Sequence, residues 1–364
     1  TFINNSGLSQ CGAVFINSKT VASFDNNRFI NNHVNPGLFD RAQGGSVYIK
    51  QFTEPIIFTI SNCYFENDSS SGTGGSIYCE FYDITYSGSS DKMYDIPIII
   101  DNCQFKKCSS KDRGGAISNG SPSSYSGSLG DTNTGDIIIQ GCHFEECTSS
   151  LGGCISSHDG TEQADEETNI TDCIFERCEA STLGSCIYSL TYRFYLSNSK
   201  FSEQTKGTSM IYLKMNEKVN PLIYNCTFVN NEINSVSCEV DGTLIMQNCT
   251  FREYSTNELL NPSSMLSKGN ESGNIFDGCI FEDTTKCGVY IESGIHTFNN
   301  CIFQNINTET ASKKALYVKT PSEYDNEFAT IFVNGCTFIN NSGLSQGGAV
   351  FINSKTVASF DNNR

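Results

Sequence analysis

Short runs of alternating apolar and polar residues recur along the whole chain, separated by Gly, Asn and Ser. Val14-Phe15-Ile16 and Val47-Tyr48-Ile49 form one group of such runs. Ile57-Phe58-Thr59-Ile60, Ile98-Ile99-Ile100, Ile137-Ile138-Ile139 and Ile331-Phe332-Val333 form another. A period of two marks strands. No stretch of useful length carries the helical period, and the chain has only 7 Pro, as continuous strand pairing requires.

The strand signals are tied to a repeated Asn-Cys-x-Phe pattern. It occurs at Asn62-Cys63-Tyr64-Phe65, Asn102-Cys103-Gln104-Phe105, Asn225-Cys226-Thr227-Phe228, Asn248-Cys249-Thr250-Phe251 and Asn300-Cys301-Ile302-Phe303. Looser copies place Phe144 after Cys142, Phe175 after Cys173, Phe281 after Cys279 and Phe338 after Cys336. Phe2, Phe29 and Phe201 complete the series without the Cys. The spacing between successive Phe runs from 22 to 40 residues while the pattern stays constant. Strands that hold register while loops vary are the mark of a solenoid.

A second pattern falls between the Phe positions: Gly-Gly, a small residue, then an aliphatic one. Examples are Gly44-Gly45-Ser46-Val47, Gly74-Gly75-Ser76-Ile77, Gly114-Gly115-Ala116-Ile117 and Gly152-Gly153-Cys154-Ile155. Paired Gly before a strand predicts a tight corner with positive φ. Three short strands and their corners then make one turn of a triangular coil, and the predicted fold is an all-β, right-handed parallel β-helix. Cys and Phe two apart share a face, and Phe is too apolar to line the outside, so both are expected inside as stacked columns. The Asn before each Cys is expected to hydrogen-bond from coil to coil.

Residues 337–364 repeat residues 1–28 with one difference, Cys11 against Gly347. The period is 336, and about eleven coils fill it. The expected organisation is one full unit, 1–336, followed by the start of the next near-identical unit, 337–364. Further copies along the fibre axis are then the expected partners.

These motifs resemble the polymorphic outer membrane protein repeat, marked by Gly-Gly-Ala-Ile and Phe-x-x-Asn. The first is matched at Gly114 to Ile117 and Gly347 to Val350. The second is matched at Phe2 with Asn5, Phe29 with Asn32, Phe228 with Asn231 and Phe338 with Asn341. The resemblance implies a right-handed β-helix, exposure at a cell surface and adhesion. Cys108, Cys147 and Cys178 depart from it by replacing the Asn in three consecutive coils.

Composition narrows the function. A net charge of −17 and a pI near 4.6 exclude nucleic acid as an expected partner and disfavour anionic membranes. No apolar run is long enough to span a bilayer. Eighteen Cys suit an oxidising compartment. The Cys column (Cys63, Cys103, Cys142, Cys173, Cys226, Cys249, Cys279, Cys301, Cys336) can hold disulfides between rungs or simply fill space as small apolar thiols. Pairs within a coil, such as Cys103 with Cys108, are a further alternative.

Eight Asn-x-Ser/Thr sequons occur, about the number chance gives in so Asn- and Ser-rich a chain. Asn67, Asn119 and Asn270 fall in expected loops and are the candidate glycosylation sites. The acidic segment 159–168 is read as a solvated loop in preference to a calcium site. Insertions at 80–97, 119–136 and 254–272 are expected to project and to carry any contact with a host-cell or glycan ligand.

The expected function is therefore a structural or adhesive extracellular or cell-surface fibre, with no catalytic residues, metal or cofactor. One rival is a carbohydrate-active enzyme of the pectin-degrading β-helix type. Against it, no convergent set of Asp, Arg or His is evident at corresponding strand positions. The other is a glycan-binding module using Tyr48, Tyr78 and Tyr188 as exposed stacking platforms.

Overall fold

The computed structural model describes residues 1–8, 10–17, 22–35, 42–52, 57–82, 97–120, 136–157, 167–215, 220–240, 242–253, 258–260, 273–291, 293–308, 314–319, 328–343, 347–352 and 356–364. It divides into two compact units, Thr1–Tyr195 and Leu196–Arg364.

In the first unit every described strand pairing is parallel, between equivalent strands of successive coils. The Phe strands (Phe2–Ile3, Arg28–Ile30, Tyr64–Glu66, Gln104–Lys106, His143–Glu145, Ile174–Glu176) follow one another in a single sheet. The Gly-Gly strands form a second sheet from Val14–Asn17 to Ile187–Ser189. The Ile-rich strands (Ser23–Asp25, Phe58–Ser61, Ile98–Asp101, Ile137–Gln140, Glu167–Thr171) form a third.

A fourth column, from Ser6–Gly7 through Ser69–Ser70 and Ser109–Ser110 to Glu179–Leu183, lies between the Phe strand and the Gly-Gly corner. The sequence predicts three strands per coil, and the structure has four here. Several of these extra strands are two residues long, too short for a period of two to show.

The second unit repeats the plan. Its Phe strands run from Lys200–Ser202 to Thr337–Ile339, and its Ile-rich strands from Leu222–Tyr224 to Thr356–Asp361. Ser209–Met215 pairs Asn234–Val240. Glu258–Leu260, Cys287–Ile291, Leu316–Val318 and Val350–Ile352 form a separate sheet.

Like stacks on like inside each unit. Phe29, Phe65, Phe105, Phe144 and Phe175 follow Phe2 at ring spacings of 4.7 to 4.9 Å, within 6° of parallel. Phe201, Phe228, Phe251, Phe281, Phe303 and Phe338 do so in the second unit at 4.7 to 5.1 Å. Free aromatic pairs prefer offset or edge contacts. Here the hydrogen-bonded strand separation of ~4.8 Å sets the ring spacing, so the rings lie face to face.

Corners come from left-handed residues. Asn62, Asn102, Asn225, Asn248 and Asn300 have φ between 51° and 54°. A second left-handed corner follows each Phe strand, at Asn31, Asn67, Lys107, Glu146, Arg177 and Asn230 among others. Asn tolerates this region best after Gly, and other residues cost roughly 1–2 kcal/mol each. The Asn before each Cys thus serves chiefly as a backbone corner. Its side chain lies toward solvent, where Asn62 Nδ2 donates to Asp25 Oδ1 at 2.8 Å and Asn225 Nδ2 to Asn198 Oδ1 at 2.8 Å.

The Gly-Gly corners divide the work. The first Gly takes positive φ, as at Gly74 (63°). The second permits close approach: a Cβ on Gly75 would sit 1.9 Å from the Gly115 carbonyl oxygen.

Candidate functional site

Two interior columns flank the Phe strand, and both use the same bonding scheme. At the position three after Phe, Asn32 Oδ1 accepts the Asn5 N–H at 3.0 Å while its Nδ2 donates to the Phe2 carbonyl at 3.2 Å. Asn231 does the same to Gln204 and Phe201, at 3.0 and 3.1 Å. Asn341 does it to Ile306 and Phe303, at 3.0 and 2.8 Å.

Where Cys replaces Asn, its S–H keeps the second bond. Cys108 donates to the Phe65 carbonyl at 3.7 Å, Cys147 to Phe105 at 3.6 Å and Cys178 to Phe144 at 3.6 Å. The departure from Phe-x-x-Asn is thus a substitution of one donor for another.

The column two before Phe mirrors it. Cys103 Sγ accepts the Cys63 N–H at 3.4 Å and donates to the Ile60 carbonyl at 3.5 Å. Cys142 repeats this on Cys103 and Ile100. In the second unit Cys249, Cys279, Cys301 and Cys336 donate to Ile223, Met246, Phe276 and Phe298. Asn363 stands at the equivalent place with amide chemistry, accepting the Cys336 N–H at 2.8 Å and donating to Val333 at 2.9 Å. Cys173 and Cys226 lie in the same columns. All eighteen cysteines are free thiols. Cys103 and Cys108, a pairing raised by the sequence, belong to different columns and bond to different carbonyls. Burial alone raises the pKa of Cys79 far above the usual thiol range. Such thiols are inert.

Several sequence expectations change. Tyr48, Tyr78 and Tyr188 are buried (1%, 0% and 8% exposed), so they offer no stacking platform. The Tyr48 hydroxyl donates to the Glu80 carboxylate, at the start of the expected 80–97 insertion. Asn119 ends the strand Ile117–Asn119 and is 1% exposed, which removes it as a glycan acceptor in the folded chain. Asn67 is exposed at a left-handed corner. Asn270, and nearly all of the insertions and the acidic segment, lie outside the described residues. Thr168, the last residue of that segment, is buried. It donates to Ser157 Oγ at 2.9 Å and accepts from Thr191 at 3.2 Å.

The outer side of the Phe sheet holds what the sequence reading missed. Register aligns Gln104, His143 and Ile174 in one outward row, and Lys106, Glu145 and Glu176 in the next. The corner residues Lys107, Glu146 and Arg177 follow. Lys106 Nζ contacts Glu145 Oε2 at 2.8 Å, and Arg177 reaches Glu145 at 2.5 Å and Glu146 at 3.5 Å. His143 Nε2 lies 3.4 Å from Glu176 Oε2. The hydrogen bond from Lys106, aided by Arg177, holds the Glu145 pKa below the usual carboxylate range. Counting from each Phe brings these residues together, whereas chain order keeps the contacting partners more than thirty apart. The row is built chiefly of Lys and Glu, outside the Asp, Arg and His at strand positions that the sequence reading weighed.

Among the described residues, no group of three or more His, Cys, Asp or Glu could hold a metal ion. Among them, too, no helix is long and apolar enough to cross a membrane.

Comparison with known proteins places the architecture. A family model described as right handed beta helix region matches residues 194–364. With the parallel coils above, it defines the chain as an all-β, right-handed parallel β-helix. A solved structure titled as the periplasmic alginate epimerase AlgG matches 85% of this chain and 77% of its own, with 9% identity and a TM-score of 0.33. No curated protein matches the sequence significantly. The expectation that this chain is not an enzyme is withdrawn, because the solved structure it matches is an enzyme's. At that similarity neither the epimerase activity nor its substrate transfers.

Proposed function

We propose that the chain is a structural, surface-exposed β-helix of an extracellular or cell-surface protein, built to be extended by further copies of itself. The observation that carries this reading is the repeat of residues 1–28 at 337–364, together with what the two copies do in the fold. Phe338 stacks on Phe303 at 4.7 Å, and Phe2 on Phe29 at 4.8 Å. Ser342–Gly343 and Ser6–Gly7 are the same short strand in both copies. The first copy packs on the coil that follows it and the second on the coil that precedes it, so a coil whose sequence returns after 336 residues can be followed by the same set of coils again. The resemblance to the polymorphic outer membrane protein repeat supports surface exposure and adhesion. Electron microscopy of a two-unit protein tests the reading. A rod that lengthens by one fixed increment over the single unit is expected, and compact or irregular particles would overturn it.

The charged ribbon favours a second reading, action on a carbohydrate. His143 Nε2 lies 3.4 Å from Glu176 Oε2 without a hydrogen bond between them, and Arg177 and Lys106 stand alongside to meet an anionic chain. Bland cross-strand ion pairing gives the same contacts and contributes little stability. Incubation with acidic and neutral polysaccharides separates the two. Turnover that His143→Ala and Glu176→Gln abolish would establish catalysis, and no turnover of any substrate would remove this reading.

A further inference from the structure

The coil 302–334 receives residues 337–364, whose sequence is that of residues 1–28 but for Gly347 in place of Cys11. Strands pair in four columns: Phe303 with Phe338, Asn307 with Ser342, Leu316 with Val350 and Ile331 with Ala358. Phe338 stacks on Phe303 at 4.7 Å, and Phe351 on Tyr317 at 5.1 Å. Two amides of the arriving coil each bridge two backbone groups. Asn341 accepts the Ile306 N–H at 3.0 Å and donates to the Phe303 carbonyl at 2.8 Å. Asn363 accepts the Cys336 N–H at 2.8 Å and donates to the Val333 carbonyl at 2.9 Å. Gly343 leaves room for the buried Lys314, because a Cβ there would lie 2.6 Å from the Lys314 Nζ.

The same groups are present in residues 1–28, as Phe2, Asn5, Gly7, Val14, Phe15 and Asn27. The one differing position is not among them. Among the described residues, the strands of that copy pair only with those of the coil after it. Its two amides turn elsewhere. Asn5 Nδ2 donates to Asn32 Oδ1 at 2.8 Å, and Asn27 Nδ2 to the Asp25 carbonyl at 3.0 Å. Phe2 is only half-buried, whereas Phe29 in the next coil is 0% exposed. The first copy therefore carries, on its open face, the set that the second copy uses to grip the coil 302–334.

We infer that the coil 302–334 is a docking face for residues 1–28 of a second copy of this chain, which joins copies head to tail without a covalent link. The inference rests on the reading of the chain as a structural β-helix extended by its own copies. The contact joins two different surfaces, so it does not close on itself and adds copies along one axis. Main-chain hydrogen bonds between unpaired strand edges supply the attraction. The stacked Phe and the two bridging Asn fix the register. Within one chain, residues 337–364 already occupy the face. Their tether gives them a high effective concentration, so they exclude a second copy until their own grip is weakened.

The test weakens the tethered copy in the full chain and leaves the first copy intact. Phe338→Ala with Asn341→Ala should turn a monomer into a concentration-dependent series of end-to-end species. Sedimentation velocity reads their masses as whole multiples of one chain, and electron microscopy shows rods that lengthen in equal steps. Adding Phe2→Ala and Asn5→Ala to that chain should return it to monomer. If the Phe338 change disrupts folding, Asn341→Ala with Asn363→Ala removes the amide bridges while keeping the Phe stack, and the same series is expected. A folded variant that stays monomeric at every concentration overturns the inference. Association that survives the Phe2 and Asn5 changes overturns it too, because it runs through another surface. If either happens while the two-unit protein still forms its rod, the inference falls and the reading it rests on stands.

Discussion

Asp68 accepts the backbone N–H of Asn32 at 2.9 Å, just as Asn32 accepts that of Asn5 one coil earlier. An amide in this column also donates to a Phe carbonyl, and an ionised carboxylate cannot. Burial raises the Asp68 pKa to about 7, against hydrogen bonds from Ser46 and Asn32 that lower it. The folded state therefore holds the proton more tightly than the unfolded chain does. That contribution is complete below pH 3.8 and is lost as pH rises toward 7. The loss is about 4 kcal/mol, at 1.36 kcal/mol per unit. Asp68→Asn should remove this slope and stabilise the protein by up to that amount at pH 8. Urea unfolding at pH 5 and pH 8 reads both.

His296 has the opposite sign. Its Nε2–H donates to the Ser293 carbonyl at 2.8 Å, and its Nδ1 lies 3.4 Å from Asn274 Nδ2. Burial lowers its pKa to about 4. The neutral ring is favoured in the folded state, so its contribution is present above pH 6.5 and is lost as pH falls toward 4. The loss is about 3 kcal/mol. His296→Gln should flatten that limb alone. Because Asp68 and His296 titrate in overlapping windows with opposite slopes, the two variants should uncover trends that nearly cancel in the parent chain.

Phe105 is sandwiched between Phe65 and Phe144 at 4.8 and 4.9 Å. Phe105→Ala should cost about 3–5 kcal/mol through lost burial and the cavity left behind. Phe105→Leu should cost less, because it refills most of the gap. Denaturant midpoints at a common slope measure the difference.

Gly75→Ala should prevent folding. Its Cβ would meet the Gly115 carbonyl oxygen at 1.9 Å and the Ser109 carbonyl oxygen at 2.5 Å, backbone atoms of the next coil's Gly corner and of the strand Ser109–Ser110. Gly141→Asn is the contrast. Gly141 has φ 61°, where most other coils carry Asn, and a Cβ there meets the Asn102 side chain, which can turn toward solvent. A loss below about 1 kcal/mol is expected. Circular dichroism and soluble yield compare the two.

Cys108→Asn should be better tolerated than Cys108→Val. Asn restores the donor to the Phe65 carbonyl that Cys108 supplies at 3.7 Å, whereas Val leaves that buried carbonyl with one bond fewer. Thermal unfolding of both variants gives the order.

Much of this was legible in the chain. Phe at each Cys-x-Phe and the paired Gly before each aliphatic strand report local constraints that repeat, so their periodicity survives loops of any length. The charged ribbon was not legible. Lys106, Glu145, Glu176 and Arg177 become neighbours only once the register sets Phe105, Phe144 and Phe175 on one another. Tyr48 and Asn119 misled for a related reason: alternation and composition mark them as outer or loop residues, yet both are buried.

The chain by itself determined its strands, its corners and the order in which coils repeat, because φ preference and alternation act between residues close in sequence. Tertiary structure decided which side chains meet. Stacking brings together residues 22 to 40 apart, and it alone revealed why Asn and Cys can trade places: both donate to the same backbone carbonyl of the coil before, and in the column two before Phe both also accept the same backbone N–H.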